Sequence, residues 1–182
     1  MFVNPPDKSE VKKNYDELGG GLYDLRYRDE QDRKYDAAFL VTLPRGDDLL
    51  LDDGCGTGML LSRFDSPAVG LDLTPNLLRI AREKLGEDHH LILGDAEHLP
   101  IKDGVFEGVY AITLIQNTPD KRKVISEMKR VSKTNGRILV TALKVVFGPD
   151  FLPGLLEEAN LKNVSQVGDA GTNDWIVSAE KE

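Results

Sequence analysis

An α/β fold, with a doubly wound and mainly parallel sheet covered by helices on both faces, is what the sequence predicts from three observations. The run Leu49-Leu50-Leu51-Asp52-Asp53-Gly54-Cys55-Gly56-Thr57-Gly58 reads as a buried strand that turns sharply, through a glycine triplet, into a helix. Two further apolar runs close on single acids, Val69-Gly70-Leu71-Asp72 and Leu91-Ile92-Leu93-Gly94-Asp95. Strand-like and helical stretches then alternate, as βαβ units require. In such sheets ligands bind beyond the strand C-termini, so the same turns mark the candidate site.

Taken in order, Val11, Tyr15 and Leu18 recur at helical spacing after Pro5-Pro6-Asp7 and predict a short helix ended by Gly19-Gly20-Gly21. A second helix is expected from about Arg28 to Leu43, with Tyr35, Ala38, Phe39 and Thr42 on one face and Pro44 as its stop. The first strand, Leu49 to Asp53, should lead into a helix from Thr57 to about Phe64. The second, Ala68 to Asp72, leads through Thr74 as cap and Pro75 into a helix that buries Leu77, Leu78, Ala81 and Leu85, with Gly86 at its end. A short third strand covers Leu91 to Leu93, and a fourth Val105 to Ile112. Thr118-Pro119-Asp120 repeats the Thr-Pro start before a helix burying Val124, Ile125, Met128 and Val131. The fifth strand spans Arg137 to Ala142; a helix follows Gly148-Pro149 with Phe151, Leu152, Leu155, Leu156 and Ala159 inward. Val164 to Val167 and Trp175 to Ala179 flank Gly168-Asp169-Ala170-Gly171, a hairpin signal.

A length of 182 residues suits one domain over 1–182, with a helical segment over 1–44 and a sheet core over 45–182; 40% hydrophobic and 30% charged residues are ordinary for a globular protein. No apolar run is long enough to span a bilayer and the N-terminus lacks a signal layout, so no membrane role and a cytoplasmic location are expected. A net charge of −8 argues against autonomous nucleic-acid binding, which depends on Lys and Arg displacing counterions. The basic cluster Lys121, Arg122, Lys123, Lys129, Arg130 and Lys133 reads as the solvated face of an amphipathic helix. A single cysteine and three scattered histidines (His89, His90 and His98, read as surface residues) give no metal set, so no metal is expected.

The glycine spacing separates two cofactor classes. A dinucleotide loop follows Gly-x-Gly-x-x-Gly, whereas here Gly54-x-Gly56-x-Gly58 puts Met59 where the third glycine would fall, which disfavours a nicotinamide-dependent oxidoreductase. Asp52, just before the loop, would repel a diphosphate but suits a ligand carrying an ammonium and a sulfonium.

The stretch resembles motif I of the class I S-adenosylmethionine (SAM)-dependent methyltransferases, the small type 11-like domains in particular, and the likeness runs from about Tyr15 to the C-terminus. It implies a Rossmann-like seven-stranded sheet whose last strand is antiparallel, with SAM as cofactor. By the resemblance Asp52 is the motif I acid, and Gly54, Cys55, Gly56 and Gly58 form the loop against the cofactor, Cys55 as a packing residue rather than a nucleophile. Asp72, followed by Leu73, binds the ribose hydroxyls at close to the usual spacing of about 20 residues from the first glycine. Asp95 takes the adenine amino group and Ala96 N–H a ring nitrogen. Ala111, Ile112 and Gln116 line the donor methyl. Tyr15 and Tyr23 belong to a segment that folds over the cofactor, with the glycine triplet between them as a hinge, although each tyrosine reads equally as ordinary packing. Tyr27 and Arg26 are candidates for the acceptor side.

A sulfonium methyl is already electrophilic, so orientation and exclusion of water can supply much of the rate. Tyr23 and Asn117 are the catalytic candidates; Asn117 stands where related sequences often carry His, and would orient an acceptor or serve only as a turn residue. Similar small enzymes act on small metabolites, quinones, tRNA or translation factors, and some need a small activating subunit, which the edge of the third strand could host by strand addition. A SAM-binding sensor or scaffold that transfers no methyl is the competing reading. Asp53 departs from the family, which is apolar there: two adjacent carboxyls at a buried strand end raise each other's pKa unless one reaches solvent or a cation. Its role is open.

Overall fold

The structure, a computed structural model, describes the backbone of residues 6–18, 20–85, 89–168 and 170–182, and their side chains except those of 15–27. Helices α1 (Lys8–Leu18) and α2 (Gly20–Val41) precede strands β1 (Leu50–Asp53), β2 (Ala68–Asp72), β3 (His90–Leu93), β4 (Phe106–Ala111), β5 (Ser132–Leu143), β6 (Lys162–Gln166) and β7 (Asp174–Glu180). Helix α3 (Pro75–Leu85) follows β2, α4 (Lys121–Val131) follows β4, and α5 (Phe151–Glu158) follows β5. The strands form one sheet in the order β3-β2-β1-β4-β5-β7-β6. Strands β1 to β5 pair in parallel, and β7 runs antiparallel to both β5 and β6. The chain therefore reverses its strand order at β1, and the crevice between β1 and its neighbours β2 and β4 is where a ligand is expected.

Both sheet faces are covered, as the near-continuous apolar strands require. On one face Leu51, Leu71, Val109, Ile138 and Val140 pack against Val124, Ile125, Met128 and Val131 of α4 and Leu152 and Leu156 of α5. On the other, Leu50, Tyr110, Leu139 and Ile176 meet Tyr35 and Ala38 of α2 together with Leu60, Leu61 and Phe64. Because side chains alternate along a strand, Asp52 falls on the α2 face and Asp53 on the α4 face. Adjacent carboxyls are thus sent to opposite sides of the sheet.

Four local expectations are corrected. The stretch after Thr57 forms turns and a short 3₁₀ segment, Leu61–Arg63, in place of a helix to Phe64. Gly54, Gly56 and Gly58 all have positive φ, so right-handed winding cannot begin before Met59, and Pro67 turns the residue before it away from helix. Helix α2 starts at Gly20, eight positions before Arg28; Gly20 and Gly21 sit in its first turn, where the N–H groups have no intrahelical partner in any case. Thr118 does not cap α4, since its hydroxyl donates to Ile115 O; Asp120 does, accepting from Lys123 N. Strand β5 begins at Ser132, where a bulge and Asn135 in the left-handed region lengthen it past the turn. Gly19, Gly86 and Asp169 lie outside the described residues, and with Gly19 the first residue of the expected hinge.

The basic cluster is neutralised where it stands. Arg130 binds Glu127, Asp103 and the carbonyls of Leu99 and Ile101; Lys129 binds the carbonyls of Ala159 and Asn160; Arg122 pairs with Glu158. Its cations staple α4 to its neighbours. No helix among the described residues is long and apolar enough to cross a membrane.

Candidate active site

The C-terminal ends of β1, β2 and β4 open into a cleft roofed by α1. Its wall is built from Asp53, Gly54 and Gly56 after β1, Asp72, Leu73 and Thr74 after β2, Gly94, Asp95 and Ala96 after β3, and Ile112 to Leu114, Asn117 and Thr118 after β4; Lys8, Val11 and Lys12 of α1 close it from above. A smaller cavity shares Gly54, Gly56, Thr57 and Ile112 with the first and extends to Asp52, Cys55, Gln31 and Tyr35. The glycine loop therefore lies between two adjacent compartments.

The loop and the second acid are bonded to each other. Asp72 Oδ2 accepts Gly56 N–H at 2.9 Å and Oδ1 accepts Thr74 N–H at 2.8 Å, so the carboxylate ties the loop after β1 to the start of α3. Burial raises its pKa against these bonds. Gly56, with φ of +54°, has open space where a Cβ would stand, so the backbone there is bare toward the cleft. Gly58 is different: a Cβ would lie 2.7 Å from Leu85 Cδ1, and it contributes to neither cavity wall. It packs the loop on α3.

Asp95 Oδ2 accepts Lys8 Nζ at 2.7 Å and Glu97 Oε2 accepts the same ammonium at 2.6 Å, while Asp95 Oδ1 accepts Glu97 N–H at 3.0 Å. Burial works to raise the Asp95 pKa, but the Lys8 and Glu97 bonds outweigh it and hold the carboxylate below its ordinary value. Asp95, Glu97 and His98 could together ligate a cation, but Lys8 already occupies two of the three. His98 and His90 are exposed, as expected, and His89 is half-buried.

The two carboxyls of β1 find no such relief. Asp52 is 3% exposed and its Oδ2 has no partner; burial first, then Asp72, push its pKa up to about 8. Asp53 is fully buried with neither oxygen bonded, and burial, with Asp52 and other acids, raises it well above its ordinary value. Among the described residues no cation pairs with either, and both oxygens of Asp53 are shut off from solvent. Cys55 is buried as well: its thiol is pushed well up by burial, and its Sγ would be 2.8 Å from a Cβ on Gly70. It is a packing residue with no thiolate character.

After β4 the outcome is mixed. Ala111 is fully buried in the core on the α4 face and Gln116 donates its side-chain amide to Thr113 O, so neither contributes to the cleft wall; Ile112 does. The cause is Thr113, a β-branched residue with φ of +58°, which turns the chain so that Thr113 and Leu114 face the cleft instead. That strained residue is held from three sides: its N–H donates to Thr141 Oγ1, its hydroxyl donates to Asp174 Oδ2, and Lys34 Nζ donates to Thr113 Oγ1. Asn117 lines the cleft, with its amide directed at Thr113 O at 3.3 Å. Tyr15 lies in α1 and Tyr23 in α2, but their side chains, with those of Arg26 and Tyr27, fall outside the description.

Sequence reasoning missed Lys8, Lys12, Gln31 and Thr113. Lysines and a glutamine on amphipathic helices carry no local signal, and a positive φ at threonine breaks the usual preference.

Orphaned acceptors on Asp52 and Asp53 and a bare glycine turn fit a cationic ligand with hydroxyl and amino donors. Comparison with known proteins agrees. The model of a family described as "Methyltransferase domain" matches residues 51–140. The chain is 28% identical over 177 residues to an uncharacterised protein of Methanocaldococcus jannaschii (96% of this chain, 68% of that protein) and 31% identical over 149 residues to demethylmenaquinone methyltransferase of Bacillus licheniformis (76% and 62%). Among solved structures, the complex between the Haloferax volcanii Trm112 methyltransferase activator and a methyltransferase aligns with a TM-score of 0.78 at 15% identity, covering 91% of this chain and 96% of that one. Haemonchus contortus phosphoethanolamine N-methyltransferase 2 in complex with S-adenosyl-L-methionine aligns at 0.69 and 15% identity, covering 81% and 52%. The strand order with its antiparallel β7 is the class I methyltransferase arrangement. Residues 51–140 thus match a methyltransferase domain, and the fold is the one the solved methyltransferases share. The chain spans between 37% and 68% of the length of the curated relatives it matches.

Proposed function

We propose that this chain transfers a methyl group from SAM to an acceptor, with the nucleoside in the larger cleft and the amino-acid tail in the smaller compartment beside Asp52. The observation that carries this reading is the convergence of three strand ends, each with its acid, on one cleft behind a bare glycine turn. SAM supplies the electrophilic methyl; the chain's part is to hold, orient and desolvate. In this reading Asp72 grips the ribose while bracing the glycine loop, Asp95 and Ala96 N–H take the base, and Asp52 faces the cationic end. Helices α1 and α2 exclude water, Lys8 clamping α1 onto Asp95 and Glu97 and Lys34 clamping α2 onto Asp174 at 2.9 Å. We read the chain as one unit, residues 1–44 lidding the core 45–182. Asn117 and Tyr23 remain the candidates for aiming the acceptor.

The acceptor enters at the rim formed by the C-terminal ends of β4 and β5. Val145 and Val146, which follow β5 at that end of the sheet, are 89% and 52% exposed. The candidates are a small metabolite, tRNA or a translation-related protein. A small activating subunit is proposed for the β3 edge, where the strand pairs only with β2 and Leu93 is 58% exposed. The neighbour complexed with an activator supports it.

One observation favours a second reading, a SAM-binding sensor or scaffold: the side-chain amide of Asn117, the candidate that would aim an acceptor, is turned onto Thr113 O. Calorimetry with SAM and S-adenosylhomocysteine, beside transfer of labelled methyl groups from SAM into a cell extract, separates the two. Binding with labelled product supports the enzyme; binding without product, activator included, supports the sensor.

A further inference from the structure

Asp53 has no task in the grip described above, and the protein gives it no partner. Its side chain leaves β1 on the α4 face, opposite Leu71 of β2, and forms part of the cleft wall with Leu71, Gly94, Ala96 and Thr118. It is fully buried, with both carboxyl oxygens unbonded. An apolar residue of similar size would fill this position without burying two unsatisfied acceptors. Such a group, aimed into a ligand cleft, is one whose partner arrives with the ligand.

We propose that Asp53 is a further cofactor-contacting residue, its carboxyl group hydrogen-bonding the nucleoside part of SAM. The inference rests on the reading that the larger cleft takes the nucleoside. The charges that act on Asp53 are those of Asp52 beside it, Asp72 after β2, Asp95 after β3 and Glu127 on α4. Of the lysines in the cleft wall, Lys8 is already engaged by Asp95 and Glu97, and Lys12 is the other. In that acidic, dry setting burial and the neighbouring acids favour the protonated form of the group. A neutral carboxyl offers one O–H donor and one carbonyl acceptor; an adenine edge offers a ring nitrogen and an amino group, the complementary pair.

The test is calorimetry with S-adenosylhomocysteine on the wild type, Asp53→Leu, Asp53→Asn and Asp72→Ala, each with a ligand-free thermal midpoint. The expected result is that Asp53→Leu melts higher than the wild type without ligand yet binds about tenfold or more weakly, while Asp53→Asn, which keeps a donor and an acceptor, binds within about threefold. A merely structural carboxyl would give the reverse: a lower midpoint and unchanged affinity. Wild-type affinity in Asp53→Leu, or equal weakening in Asp53→Leu and Asp53→Asn, overturns the proposal. Should Asp53→Leu fail to fold, Asp53→Val carries the same contrast with Asp53→Asn. Asp72→Ala keeps the two ideas apart. If it weakens binding and Asp53→Leu does not, only the role of Asp53 falls; if it binds as the wild type does, the reading of the cleft falls and this inference with it.

Discussion

Three carboxyls in and around one cleft meet different fates, and their surroundings decide which. Asp95 is ionised because Lys8 sits on it; Asp52 and Asp53 are raised because nothing does. For a carboxyl raised in the folded state, stability is fully present below the unfolded value and is lost as pH rises through the folded value. The ligand-free protein should therefore lose stability between about pH 5 and pH 8, and Asp52→Asn should lose less of it, as read from urea unfolding at both pH values. The lowered acids, Asp7, Glu30, Asp95, Glu107 and Glu127, act with the opposite sign and only near or below the ordinary carboxylate range, outside that window. Cation binding favours ionised Asp52, so SAM affinity in the wild type should rise from about pH 5.5 to 7.5; an affinity that falls over that range contradicts the assignment of Asp52. Asp72→Ala removes two backbone hydrogen bonds as well as the proposed ribose contact. At about 0.5–1.5 kcal/mol for a ribose hydrogen bond, its loss should cost roughly two- to tenfold in SAM affinity by calorimetry, the backbone bonds being read in stability.

At the scale of elements, the glycine loop combines two requirements that substitution can separate. Gly58→Ala forces a methyl against Leu85 at a positive φ and should cost about 1–3 kcal/mol of stability. Gly56→Ala has room for the methyl, so it should cost less in urea unfolding but more in SAM binding, because the added group stands in the cleft. Equal effects of the two on binding would refute the division. Strand β3 raises a parallel question at the sheet edge. Leu93→Lys lies on exposed surface and should shift stability by no more than about 0.5 kcal/mol while abolishing association with an activating subunit, if β3 is the docking edge. Native mass spectrometry of co-expressed proteins would report it.

Across the whole molecule, what could be read from the residues is what periodicity and turn chemistry encode. The strands β1 to β4 and helices α3 and α4 were legible because apolar runs and Thr-Pro starts mark them, and Asp72, Asp95 and the glycine loop because their order along the chain is the order of the strand ends around one cleft. Long-range relations were not legible. Nothing local in Lys8 says that it will reach Asp95, nor in Lys34 that it will meet Asp174 at the start of β7. Nothing local in Gly58 says that Leu85 of α3 will pack against it. Thr113 takes up a left-handed turn that propensity disfavours, which puts Thr113 and Leu114, and not Ala111 and Gln116, in the cleft wall. The most direct test of the central claim is amide chemical-shift mapping of the isotope-labelled protein during titration with S-adenosylhomocysteine. The amides of Gly54, Gly56, Leu73 and Ala96 should move together and saturate at one ligand per chain. Shifts that cluster instead on β6, or in the α4–α5 groove around Ser126 and Leu155, with the glycine loop unmoved, would contradict it.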